Sequence, residues 1–477
     1  TTNVTFIEDM FVSHISFGKY GQWVAAITGA ATLFVSGNLI SWPAAVLPKI
    51  RDGTAGYSLS PDEQTWMVSI LFVGAVSSPI PCSYIMDKIG RKNILMLATF
   101  MGVITWIILI FATTIVPIYI ARILSGCFCG IEYTVVSNFI AESVDPEIRG
   151  RLGTLMTIMY SCGAFFVSLI SFCSYQVITI ICLVNVVLLF VCFLFLPETP
   201  YFYLMHGKRK EAEQSVKWLK GSCGPDELNR IEDAIKEQLQ NSGSYLDIFR
   251  NPVNLKSFLM VEVLKFVAAG SSDVFLMTYA PLIIPDAWIT AQQSYIVLCI
   301  VWVGSALIAS VFMDRFNRRS VMTVSCAGAT VGLLITAVWY YLRDSTTVDV
   351  RSTNWLPLIL TIIIGAFETV GLFNIPNIYK GEVFAINIKS KACALSCVTA
   401  CFFEGLNNYT FFPINDNIGF YFNFVKSAIT AIVGLVFTLF VMVETKGKTL
   451  EDIQDMLNSR YARAAKEAPP VEAESSR

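Results

Sequence analysis

The chain has 477 residues, of which 55% are hydrophobic and 15% charged, and its formal net charge is −2. A soluble globular protein is nearer about 45–50% apolar and about 25% charged. The composition therefore excludes a water-soluble domain and points to a polytopic membrane protein, and the near-neutral charge gives no reason to expect a nucleic-acid partner.

A helix needs roughly 18 or more apolar residues to cross a bilayer, and about twelve segments meet that test. Residues 1–21 are a polar lead-in, read as a cytoplasmic N-terminus with no cleavable signal. The first span covers about 22–47 and holds Gly29, Gly37 and Pro43, so a bend or break is expected near its end. The second span, 63–86, runs into the polar turn Asp87-Lys88-Ile89-Gly90-Arg91-Lys92. Spans three and four cover 94–113 and 116–141. The fourth carries Arg122, Gly126 and Gly130 at four-residue spacing, a small-residue face suited to close helix contact. It ends at Glu142, before a charged turn that includes Arg149. Spans five and six cover 153–174 and 177–196.

The composition then changes. Residues 197–254 are rich in Lys, Glu, Asp and Gln, and 208–219 and 225–239 have helical periodicity. Six further spans follow, at 255–284, 291–313, 320–342, 356–380, 391–413 and 418–443. The tail, 444–477, holds one short amphipathic helix at 449–460.

A second polar turn, Asp314-Arg315-Phe316-Asn317-Arg318-Arg319, lies nearly half a chain beyond the first. Glu142 and Arg149 are seven residues apart at the end of span four, and Glu382 and Lys389 are seven apart at the end of span ten. One six-span unit is thus used twice. With both termini inside, the outer loops hold only Lys49, Arg51, Arg343 and Arg351, and most other loop cations lie inside. The expected division is an N-terminal half at 22–196, a cytoplasmic helical linker at 197–254 and a C-terminal half at 255–443. Two such halves are the sign of a rocking transporter that holds its solute between them. The matched charges read as a cytoplasmic gate: Asp87, Arg91, Glu142 and Arg149 in one half, Asp314, Arg318, Glu382 and Lys389 in the other.

The spans also contain charges, which are costly in a bilayer. They are Glu132 in span four, Glu262, Lys265 and Asp273 in seven, Glu368 in ten, Glu404 in eleven and Lys426 in twelve. Glu262 and Lys265 are i, i+3 neighbours, and on a continuous helix Asp273 returns to nearly the face of Glu262. These groups either neutralise one another or meet a polar or cationic solute, or a proton. Most of the 13 cysteines lie in apolar spans without CxxC pairs, and there are only two histidines. No metal or cofactor is expected. No nucleophile elbow, phosphate loop or metal cluster marks an enzyme.

The two Asp–Arg turns, the Arg122 glycine face, Glu142 to Arg149-Gly150, Pro197-Glu198-Thr199-Pro200, Gly371 and Pro376 before Glu382, and Glu444-Thr445-Lys446-Gly447 together resemble the sugar porter family of the major facilitator superfamily. The first span, with Ser41-Trp42-Pro43 and Leu47-Pro48-Lys49, is most similar to the insect facilitated trehalose transporters. The resemblance implies twelve transmembrane helices in two pseudo-symmetric halves, a plasma-membrane carrier working as a monomer, and Glu198 and Glu444 as further gate residues. It implies facilitative uptake of trehalose or a hexose.

Several of the family's sugar-binding positions are altered here. The span-seven glutamines are Phe266 and Val267, and the asparagine is Ser272. The span-five glutamine is Thr157, the span-ten tryptophan is Asn377 and the span-eleven asparagine is Glu404. Thr157, Ser272, Asp273, Glu368, Asn374, Asn377, Glu404 and Asn408 are the resulting solute-binding candidates. Proton-coupled members place an Asp in span one opposite the Arg of span four; no acidic residue lies between 22 and 47 here, which favours uniport. Arg122 and Glu132 remain a candidate proton or charge site. The alternatives are a non-sugar, glycoside or cationic solute on the same scaffold, a proton symporter, or a sensor that binds without transport.

Overall fold

Apolar runs in a bilayer must satisfy their backbone N–H and C=O groups internally, and the helix is the local way to do so. In the computed structural model every expected span is helical. The structure describes residues 18–448, apart from 225, 241, 242, 314 and 386, together with 452, 453 and 456. Asp314, the Arg149 side chain and most of the expected tail helix lie outside the described residues. Among those residues there is no strand.

The first six spans are Gly21–Arg51, Pro61–Ser77 with Pro79–Ile89, Arg91–Phe111, Ile115–Ser143, Pro146–Ile170 and Tyr175–Leu194. The last six are Pro252–Ala269 with Ser272–Ile283, Ala291–Phe312, Arg318–Ser345, Leu356–Phe367 continuing to Val383, Lys389–Tyr409 and Phe420–Phe440. Among the described residues eight helices are long and apolar enough to cross a membrane, or nine when the bent second span counts as one. The fifth, seventh and eleventh fall outside that count and complete the twelve rods.

Two expectations about helix shape are corrected. The first span is one continuous helix with Pro43 and Pro48 inside it. The second is instead bent by 48° between its two pieces. Ser77-Ser78-Pro79-Ile80-Pro81 explains this, because the two prolines remove backbone donors at one place. The seventh span is also broken, at Gly270-Ser271, and the tenth contains a π-helical stretch, Glu368–Phe373, just before Pro376. The break means that Glu262 and Asp273 are on different helices, so the periodicity that placed them on one face does not apply.

Small residues set the closest helix contacts. A Cβ on Gly126 would lie 1.7 Å from the Leu71 carbonyl oxygen, so spans two and four touch through backbone. Gly37 and Gly163 do the same for spans one and five. The two sets of six meet where span eleven runs along span two, span eight along span five, and the second piece of span seven along span one.

The linker forms four helices, Pro200–Met205, Arg209–Lys220, Glu227–Gln240 and Tyr245–Arg250. Its first part docks on the first six spans: Lys220 Nζ lies 2.5 Å from Asp145, and Ser215 Oγ donates to the Glu198 carbonyl at 2.6 Å. Its last part docks on the others, with Gly243 N donating to the Asn387 carbonyl at 2.9 Å and Ile248 fully buried. This side of the molecule is the linker face, and the opposite side is the far face.

Candidate functional site

A cavity of ≈ 630 Å³, counting its open mouth, lies between the two sets of six helices. Ile40, Phe72, Tyr160 and Ser161 line it from the first set. Asp273, Met277, Trp302, Thr369, Phe373 and Glu404 are among the residues that line it from the second. The broken seventh span exists at this level to present Ser271 and Asp273. Tyr160 stacks on Phe373 across the cavity at 5.6 Å.

Of the acidic candidates, Asp273 and Glu404 reach the cavity wall and Glu368 does not. Glu368 is buried, and its carboxylate accepts hydrogen bonds from Ser272 N at 3.0 Å, Ser272 Oγ at 2.8 Å and Asp273 N at 2.9 Å. It therefore caps the positive N-terminus of the helix that begins at Ser272. Asp273 Oδ1 accepts from Trp302 Nε1 at 3.0 Å. The Glu404 carboxylate has no hydrogen-bond partner among the described residues, and Lys265 is its nearest named counter-charge. The Lys265 ammonium is turned to Asn377 Oδ1 at 2.7 Å. Glu262 accepts instead from Thr399 Oγ1, and Lys426 donates to Thr410 Oγ1 at 3.1 Å.

The polar candidates are divided. Thr157 Oγ1 donates to Asn374 Oδ1 at 3.0 Å, a bond between the two sets of helices. Asn408 is buried, donates to the Glu404 carbonyl at 3.2 Å, and has no partner for its Oδ1. Asn407 spans the break in the seventh helix by donating to the Ala269 and Ser271 carbonyls at 2.9 and 3.1 Å. A polar side chain on an otherwise apolar helix face, opposite a Gly-Ser break, is the signal that could have found it.

Arg122 and Glu132 do not pair. Arg122 donates to the Met67 and Leu39 carbonyls at 3.0 and 2.6 Å and lies over the Trp42 ring at 5.8 Å. Glu132 is fully buried, accepts from Ser36 Oγ and leaves Oε1 without a partner. They are separated by about 15 Å of helix rise, and each has its own partners, Arg122 on spans one and two and Glu132 on span one.

The matched charges form two clusters at the linker face, and the described contacts of the second repeat the Arg–Glu–Thr pattern of the first. Arg91 contacts Asp87 and Glu142, each at 3.0 Å, and Thr199 Oγ1 donates to Glu142 at 2.6 Å. Glu198 accepts from the backbone N–H of Arg91, Lys92 and Thr199 at 3.0, 3.1 and 2.9 Å. In the second set Arg318 contacts Glu382 at 3.0 Å, and Thr445 Oγ1 donates to Glu382 at 2.5 Å. Glu444 accepts from the N–H of Arg318, Arg319 and Thr445 at 3.1, 3.0 and 3.1 Å. Burial pushes the Glu198 carboxyl above its ordinary value, against the opposing pull of these N–H groups. Each cluster ties helices together within one set of six. The pairing of Glu142 with residue 149 falls on a side chain outside the described residues, and Lys389 Nζ donates to the Gly381 carbonyl at 2.6 Å instead of reaching Glu382. At this face the bond between the sets is Ser83 Oγ with Tyr245 OH at 3.2 Å.

The far face is closed by different chemistry. Arg51 lies over the Phe412 ring at 5.1 Å, and Trp66 meets Tyr409 at 5.1 Å. Gln292 Nε2 donates to the Ser171 carbonyl at 2.9 Å.

The family model described as "Sugar (and other) transporter" matches residues 22–457. The facilitated trehalose transporter Tret1 of Polypedilum vanderplanki is 25% identical over 453 residues, covering 93% of this chain and 89% of that one. The protein of the same name from Aedes aegypti is 26% identical over 475 residues, covering 97% of this chain and 57% of that one. Among solved structures, the proton:xylose symporter XylE bound to 6-bromo-6-deoxy-D-glucose superposes with a TM-score of 0.73 at 15% identity, over 92% of this chain and 100% of that one. The inward-open xylose transporter XylE from E. coli gives a TM-score of 0.73 at 15% identity, over 91% and 98%. At that identity the likeness is one of fold.

Proposed function

The chain belongs to the family of sugar (and other) transporters, and on that premise we propose that it carries a small hydroxylated solute across a membrane by alternating access to the cavity between its two six-helix halves. Trehalose or a hexose is the leading solute, carried over from the relatives that bear the trehalose transporter name. The observation that carries the reading is the cavity itself. It is lined from both halves, at the level where spans seven and ten depart from regular helix, and flanked by unlike contacts at the two faces. Irregular backbone at membrane depth is tolerated where it lines such a cavity.

The halves are 22–196 and 255–443, joined by the linker 197–254, with the linker face cytoplasmic and the chain a monomer of the plasma membrane. The two charge clusters stiffen each half at its cytoplasmic end, so that rocking moves the halves as bodies. Transport is uniport: Arg122, which the symporting members pair with a carboxylate, is satisfied here by the two carbonyl groups of Leu39 and Met67.

Uptake by purified protein in liposomes tests this, with labelled trehalose and glucose, with and without a proton gradient. Saturable equilibration of either sugar that a proton gradient does not turn into accumulation is the expected result. Background uptake of both, or gradient-driven accumulation, overturns the solute or the uniport assignment respectively.

A further inference from the structure

We propose that the cavity selects a hydroxylated solute bearing a protonated amine, and this rests on the reading of that cavity as the transport site. Two charged residues line the cavity, Asp273 and Glu404, and both are acidic. No Lys, Arg or His lines it among the described residues. Glu368 stands directly behind Asp273, and the Lys265 ammonium that acts on Glu404 is bound to Asn377. Glu368 is served by protein donors, and Asp273 is bonded to Trp302, Thr369 and Glu368. Glu404 has none among the described residues.

A carboxylate at membrane depth that lacks a hydrogen-bond donor is costly unless something arrives to meet it. The lining also lacks what a neutral sugar asks for. Among the described residues no Asn or Gln, the side chains that both donate to and accept from hydroxyls, lines the cavity. What the wall does offer is aromatic: Phe72, Tyr160, Trp302 and Phe373. Ring faces attract ammonium groups, and the effect strengthens when water is excluded. Carboxylates plus rings, with no cation among the described lining residues and Lys265 held by Asn377, suit a monocation. Ser161, Ser271 and Thr369 supply hydroxyls for the rest of the solute.

The test uses the full-length protein in liposomes with labelled glucosamine, glucose and N-acetylglucosamine as probes. Acetylation removes the amine's charge and keeps the sugar ring, so this comparison needs no variant. The expected result is an apparent KM for glucosamine at least about tenfold below those of glucose and N-acetylglucosamine, as a charge pair of low solvent exposure gives. Glu404→Gln and Asp273→Asn are expected to shrink that ratio, and melting of each purified variant reports whether it has folded. Equal or better handling of glucose and N-acetylglucosamine overturns the amine and leaves the transport reading standing. No saturable uptake of any probe by folded protein overturns the transport reading and the amine with it.

Discussion

Glu198 and Glu444 show what a single side chain does here. Each is a carboxylate at the end of a membrane helix that collects the first N–H groups of another helix, the one following an Asp–Arg turn. Helix N-termini carry unpaired donors and positive potential, so an acidic acceptor there is favourable. Glu198→Ala removes the acceptor from three buried N–H groups; a loss of about 2–3 kcal/mol is expected, measured as a lower midpoint of thermal unfolding in detergent. An unchanged midpoint would deny the capping role. The positions of these charges were legible from the sequence, because they recur at matched places in the two halves. Their partners were not. The expected pairing of Glu142 with Arg149 falls on a side chain outside the described residues, and the contacts that Glu142 makes with Arg91 and Thr199 were not foreseen. Glu142 is on span four, Arg91 on span three and Thr199 just after span six, and only the packing brings them together.

At the scale of helices, number and extent were readable and shape was not. Long apolar runs mark spans well, since the bilayer tolerates little else. Breaks inside a run leave the hydropathy unchanged. The prolines after Ser78 signalled the 48° bend in span two, but the similar prolines in span one sit in a continuous helix. The break at Gly270-Ser271 has no proline at all and is held by Glu368 on one side and Asn407 on the other. Glu368→Gln places an amide where Ser272 and Asp273 need an acceptor. Uptake of the transported solute is expected to fall by about tenfold or more in protein that remains monodisperse. Wild-type uptake by that variant would remove Glu368 from the account of the site.

For the whole molecule, the contacts within each half differ in kind from those between halves. Within a half, backbone meets backbone at glycines and carboxylates cap helices. Between halves the described contacts include the bond of Thr157 with Asn374, that of Ser83 with Tyr245 at the linker face, and the ring stack of Tyr160 on Phe373 across the cavity. The linker follows the same division, its first part fixed to one half and its last part to the other. Rigid bodies joined by few directional contacts are what rocking requires. The duplicated turns pointed to this division in the sequence, and the altered binding positions pointed to an unusual solute. Which carboxylates line the cavity needed the break in span seven.

The most direct test of the moving halves locks the Thr157–Asn374 contact. Thr157→Cys with Asn374→Cys, in a background where the other cysteines are replaced, is reconstituted into liposomes and closed by oxidation or by the shortest bifunctional thiol reagent. The account predicts that uptake falls to background on cross-linking and returns when the disulfide is reduced. A quantitatively cross-linked protein that still transports at the uncross-linked rate would contradict it.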